Sequence, residues 1–245
     1  MQQVLVLGGG ASGLAAALAA ARAGARVTVL ERNAKPGKKL LATGNGRCNL
    51  TNYNLSPARY HGEDSGFCAH ALRTFDVGDT LQYFASLGLL TVSEDSGRVY
   101  PMSNMAGSVL DVLRYGLERP GIRVCTGQAV TAVKHAAESF TVRTETEVFA
   151  ARKVILAAGG AAGSKVGGVM DGYRLAKALG HHRTVLYPSL VQLRTDPTYP
   201  RALKGIKAEC SIAILRGGER VAENRGEVLF TEYGCLLYTS PSPRD

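Results

Sequence analysis

The chain is poor in the residues that mark several function classes. Its 245 residues hold only five cysteines and five histidines. Cys48, Cys68, Cys125, Cys210 and Cys235 form no CxxC pair, which excludes a zinc ribbon and a dithiol redox pair. His181 and His182 are adjacent, but no cysteine stands at metal-ligand spacing, so no metal site is expected. No apolar run is long enough to cross a bilayer. The apolar stretch from Leu5 to Ala23 lacks a charged leader and is interrupted by glycines, so it does not read as a signal peptide; a cytoplasmic protein is expected. Leu14 follows Gly13, where a phosphate loop would need Gly-Lys and a nucleophile elbow around Ser12 would need glycine. A basic stripe interleaved with aromatics is also missing, so no nucleic-acid partner is expected. The net charge of +9 nevertheless keeps an RNA-binding reading open.

What is present concentrates in the first fifty residues. Val4-Leu5-Val6-Leu7 is a continuous apolar run that stops at glycine, the pattern of a parallel strand buried on both faces. Gly8, Gly10 and Gly13 then supply GxGxxG spacing: a tight turn, a close approach to pyrophosphate, and close helix–strand packing. The alanine-rich stretch from Ala11 to Ala23 predicts a helix whose first-turn amides point at an anion, and Gly24 ends it. Arg26 to Leu30 predicts the second strand, with Glu31 at its end placed to accept a ribose hydroxyl. Strand, glycines, helix, strand and acid together specify a dinucleotide cradle far better than the glycines alone. The competing reading is a nucleotide-free turn in an ordinary βαβ unit.

A second glycine-rich stretch follows. Arg32, Lys35, Lys38, Lys39 and Arg47 cluster near the expected phosphates, and the two lysines and Arg47 can pair with phosphate oxygens. Gly37, Gly44 and Gly46 allow close backbone approach. Such a loop extends the cradle towards whatever ring lies beyond the pyrophosphate. The competing reading is a basic surface loop.

The run KPGKKLLATGNGRCNLTN, from Lys35 to Asn52, closely resembles the signature of a bacterial NAD(P)/FAD-dependent oxidoreductase family, the aminoacetone-oxidase-like or bile-acid dehydro reductase-like flavoproteins. The resemblance implies a Rossmann-like FAD-binding domain of the two-dinucleotide-fold type with an inserted antiparallel β domain. It implies that Gly8, Gly10, Ser12, Gly13, Glu31 and Arg32 hold the ADP half of FAD. Lys38, Lys39, Thr43, Gly44, Gly46, Arg47 and Asn49 would then lie along the pyrophosphate and isoalloxazine. By the same resemblance, Val130 lies on a strand against the adenine edge, and Ala158 and Gly159 approach the cofactor from the other side. Arg98, in a Gly-Arg-aromatic-Pro element, would reach a substrate carbonyl or carboxylate; the competing reading is a hairpin arginine in solvent. Cys48 would be a small packed side chain beside the flavin rather than a redox thiol.

The implied activity is hydride transfer through FAD to or from a small organic substrate, with NAD(P)H as a transient donor, since no second GxGxxG occurs. Two rivals stand beside it: an NAD-dependent Rossmann dehydrogenase, and an RNA-modifying flavoprotein or RNA-binding module. The donor, the substrate and the oligomeric state are not legible in the residues.

The remaining chain divides as follows. Residues 1–189 form the FAD-binding domain, including a helical segment over 67–117 and a β meander over 121–160. Apolar spacing at Leu72, Phe75, Leu81, Phe84 and Leu87 predicts two short helices, and Asp95, Ser96 and Gly97 a hairpin turn. Residues 190–234, with short apolar runs broken by Pro197, Pro200 and Gly217-Gly218, begin the inserted β-rich domain, incomplete here. Residues 235–245 read as a translated sequencing adaptor, a non-native tail outside the fold on a truncated fragment.

Overall fold

The structure is a computed structural model and describes residues 2–60, 62, 64, 66–187 and 192–238. It divides into two compact units, one running through Arg183 and the other from Thr184. The boundary expected at 189/190 falls outside the described residues, as do 239–245.

In the first unit, in chain order, β1 (Gln3–Leu7) leads into α1 (Ala11–Arg22) and β2 (Arg26–Leu30). Then come β3 (Thr51–Asn52), α2 (Ala69–Thr74), α3 (Val77–Ser86), β4 (Thr91–Ser93), β5 (Arg98–Pro101) and α4 (Ala106–Leu117). The unit continues with β6 (Ile122–Cys125), β7 (Val130–Ala136), β8 (Ser139–Thr144), β9 (Val148–Ala151), β10 (Lys153–Leu156) and α5 (Asp171–Ala178).

The centre is a parallel sheet in the order β10-β1-β2-β6. Alternation along β1 explains the two layers packed on it. Val4 and Val6, with Val27 and Val29 of β2, face Leu14, Ala17 and Leu18 of α1 and Val109, Leu110 and Leu113 of α4. Leu5 and Leu7 face the other way, against Val133, Val142 and Ala151 of the meander and Leu175 of α5. The meander is narrower than 121–160: it consists of β7-β8-β9 alone. Ile122–Cys125 and Lys153–Leu156 join the parallel sheet instead, where their apolar residues lie between the two layers. A third, small sheet, β3-β5-β4, carries the hairpin.

The second unit contains β11 (Leu193–Arg194), α6 (Thr198–Ala202), β12 (Lys207–Arg216), β13 (Glu219–Thr231) and β14 (Gly234–Tyr238), its strands ordered β11-β14-β13-β12 and antiparallel throughout. Cys235–Tyr238, expected to lie outside the fold, run as part of β14 between β11 and β13. No helix among the described residues is long and apolar enough to cross a membrane.

Candidate functional site: two glycine loops

The first loop joins β1 to α1. Gly8 has φ +112, and a methyl there would overlap the Ala157 carbonyl and touch Ala158. A methyl on Gly13 would overlap the Gly8 carbonyl oxygen. These two glycines therefore let α1 begin directly against the end of the sheet, beside the Ala158-Gly159 turn that follows β10. Gly10 is the N-cap of α1, and no side chain caps it. The N–H groups of Ala11, Ser12 and Gly13 have no hydrogen-bond partner among the described residues. A twelve-residue helix thus presents free amides and the positive end of its dipole at a side-chain-free turn, a setting built for an anion.

Glu31 is 5% exposed. Its Oε2 accepts from the Gly9 N–H at 2.7 Å, and its Oε1 accepts from the N–H and side-chain amide of Asn33. The carboxylate braces the first loop against the end of β2, and Oε2 retains a lone pair for a hydroxyl. Gln128 N–H donates to the Glu31 carbonyl, which draws the segment leading to Val130 and β7 beside the acid. Gly8, Gly10, Ser12, Gly13, Glu31, Val130, Ala158 and Gly159 thus surround one end of the sheet. Arg32 and Lys39 do something that spacing did not foretell. Arg32 donates to the Gly167 carbonyl at 2.8 Å and lies 3.7 Å from Asp171, and Lys39 donates to the Ala162 carbonyl at 3.0 Å. Both tie the segment after β2 to the loop after β10. Lys38 is exposed and makes no hydrogen bond or ion pair among the described residues, which leaves its ammonium available to an anionic ligand.

The second loop is built differently. Gly44, Asn45, Gly46 and Cys48 all have positive φ, and two of them are not glycine. Each such non-glycine residue costs roughly 1–2 kcal/mol, so other contacts must hold the loop. Within it, Thr43 Oγ1 donates to the Leu40 carbonyl at 2.6 Å and Cys48 N–H to the Thr43 carbonyl at 3.0 Å. Cys48 is buried in the core beneath α4. Burial pushes its thiol above the ordinary value, and the hydrogen bond with Thr43 offsets this in part. That suits the packed, unreactive role. The Asn49 amide nitrogen, oriented towards Thr51 and Val99, donates to both carbonyls and stitches the loop to β3 and β5.

Arg47, expected along the pyrophosphate and isoalloxazine, turns to the β4–β5 hairpin. Its guanidinium lies 3.8 Å over the Tyr100 ring, its NH2 donates to Glu94 Oε1 at 2.6 Å, and its Nε donates to Asn104. The physical reason is local: a half-buried cation takes the carboxylate and ring face beside it. Glu94, Tyr100 and Asn104 were not foreseen as part of the site. The one available signal was the Gly-Arg-aromatic-Pro element that contains Tyr100. Arg98 shares a face of β5 with Tyr100, two residues apart. It is half-buried, and its Nε is fully buried without a hydrogen-bond partner among the described residues. A guanidinium left in that state is short of an acceptor.

The sheet order, the glycine-shaped β1–α1 turn and the acid after β2 define a dinucleotide-binding protein of the Rossmann class. Residues 2–223 match the family described as HI0933-like protein Rossmann domain, and the chain belongs to it. It is 43% identical over 236 residues to the 3-dehydro-bile acid delta(4,6)-reductase of Clostridium scindens, covering 96% of this chain and 58% of that protein. It is 27% identical over 176 residues to the ribosomal RNA dihydrouridine synthase of Escherichia coli, covering 72% of this chain and 44% of that protein. The chain therefore spans about half the length of these curated relatives. Among solved structures, the open conformation of a flavocytochrome c3 fumarate reductase shares the fold, with TM-score 0.52 and 18% identity over 84% of this chain and 46% of that one.

Proposed function

We propose that the chain is the FAD-binding part of an oxidoreductase that reduces a carbon–carbon double bond conjugated to a carbonyl group of a small organic molecule, with NAD(P)H as donor. The observation that carries the reading is the pairing of a free-amide helix start with a second, left-handed glycine loop in one Rossmann unit of this family. The names of the relatives support the reaction class: a 3-dehydro-bile acid delta(4,6)-reductase and a dihydrouridine synthase both add hydrogen across such a bond. FAD supplies the hydride when bound. The residues of this chain bind and orient. The α1 amides and Lys38 would take the pyrophosphate, Glu31 a ribose hydroxyl, and the backbone of Gly44 and Gly46 would let the ring system lie close. Arg98, whose guanidinium is short of an acceptor, would turn to the substrate carbonyl oxygen, where negative charge gathers as hydride adds to the far end of the conjugated system.

The test is reconstitution of the purified chain with FAD, followed by reduction with NADH or NADPH and reoxidation by a 3-keto-4,6-diene steroid. Expected are a bound flavin spectrum and a product heavier by two hydrogens. In the Arg98→Lys chain, bound FAD should be unchanged and reoxidation by the steroid about a hundredfold slower. A chain that takes NAD but no flavin would establish the simple dehydrogenase in its place. Two observations favour a second reading, in which the bond lies in a uridine of RNA: the kinship to the dihydrouridine synthases and a surplus of positive charge. Reoxidation by unmodified ribosomal RNA, weakening steeply with salt, would select it.

A further inference from the structure

We infer that Arg47 and Glu94 form a clamp that holds the 43–49 loop in its working shape, and that Arg47 positions this loop without itself binding phosphate. The inference rests on the reading of that loop as part of the cofactor site. The guanidinium is engaged in three directions. Glu94 neutralises its charge at 2.6 Å, Asn104 takes Nε, and the Tyr100 ring covers one face at 3.8 Å. Glu94 is itself fixed. Its N–H donates to the Arg98 carbonyl and its carbonyl accepts from Gly97 N–H, so it is part of the hairpin turn. Tyr100 is only 5% exposed and packs from below. A phosphate approaching Arg47 would meet a cation already paired with a carboxylate, and would be repelled by that carboxylate.

The loop needs an outside hold. Four of the five positions from Gly44 to Cys48 are left-handed, and Arg47 N–H to Gly44 at 3.2 Å and Cys48 N–H to Thr43 at 3.0 Å tie the turn only to itself. Tyr100 also lies under Gly44, where an added methyl would stand 3.6 Å from its ring. One ring therefore supports both ends of the tight turn, and Arg47 draws the loop down onto it. Lysine could not replace arginine here, because the planar fork serves Asn104 and Glu94 while its face lies on the ring.

The two roles for Arg47 predict opposite signs for one substitution. Under the clamp, Glu94→Gln removes the ion pair, loosens the loop and weakens FAD binding, by about fivefold for a partly exposed pair. If Arg47 were a phosphate ligand, the same change would free its charge and tighten FAD binding. The measurement is quenching of FAD fluorescence on titration into the full chain, wild type against Glu94→Gln and Arg47→Lys. Alongside it, hydrogen exchange at the Arg47 and Cys48 amides is followed without cofactor. Both variants should exchange there about tenfold faster while amides of β1 and α1 are unchanged. Tighter FAD binding in Glu94→Gln, or unaltered exchange in both variants, would overturn the clamp. If wild type takes up no FAD, the cofactor reading fails by itself, and the exchange measurement still decides whether the clamp exists.

Discussion

The two glycine loops reach similar ends by opposite means. The first, from Gly8 to Gly13, is shaped by what is missing: a methyl on Gly8 or Gly13 would strike backbone, and no side chain caps α1. Its side-chain brace, Glu31, comes from just after the next strand. The second, from Thr43 to Asn49, is shaped by what reaches it from far along the chain: Glu94, Tyr100, Asn104 and the Val99 carbonyl. A loop set by backbone clearance has few acceptable spellings, and one rule reads it on any Rossmann sheet. A loop set by distant side chains is legible only together with those side chains.

The comparison breaks first, and most heavily, at Gly13. Valine there places its Cβ within the Gly8 carbonyl oxygen, and α1 must leave the sheet. We expect a loss of about 3 kcal/mol or more in denaturant unfolding, together with loss of the anion site. A folded, flavin-binding Gly13→Val chain would mean that clearance does not shape the first loop. Gly44 sharpens the contrast at lower cost. With φ +55 and an added methyl 2.7 Å from the Asn49 nitrogen, alanine there should cost roughly 1–2 kcal/mol and shift the second loop alone. Exchange at the amides of α1 should then match wild type. If instead both loops loosen together, they form one unit and the distinction drawn here is wrong.

The same difference explains how much could be read beforehand. β1, α1 and β2 were legible to within a residue, because apolar run, glycines and alanine-rich helix all agree locally. The hairpin at Asp95 to Gly97 and the helix ending at Leu117 were equally local. Glu94 was not singled out, since nothing within reach along the chain says that Arg47 will meet it. Arg32 and Lys39 fit a phosphate role by position, yet Gly167 and Ala162 take them, and the loop carrying those carbonyls lies more than a hundred residues on. In the second unit, α6 was missed because Pro197 and Pro200 read as breakers. Pro197 caps that helix and Pro200 lies in its first turn, where no intrahelical N–H is required. The run Lys153–Leu156 was legible by resemblance as a strand closing the sheet, and it pairs with β1; the place of β6 was out of reach, because it has the same texture as the meander strands that follow it.

Cys48 supplies the finest test of how the second loop is held. It ends that loop with φ +57 and is buried against the same core as α1 and α4. Burial raises its thiol from the ordinary value of 9.0, with the hydrogen bond to Thr43 working the other way. The folded protein therefore holds this proton more tightly than the unfolded chain does. The resulting stabilisation is complete below the ordinary thiol value and is lost as pH rises through the higher folded value. Unfolding curves taken across that alkaline range should fall more steeply for wild type than for Cys48→Ala. Near neutral pH, alkylation of Cys48, located by peptide mass spectrometry, should run at least about tenfold slower than that of an exposed thiol. The Glu94→Gln change should speed alkylation, because the loop that Glu94 holds through Arg47 carries Cys48 next in sequence. Rapid labelling of Cys48 in the wild-type chain would show that the loop opens readily, and that contacts from the hairpin do not hold it.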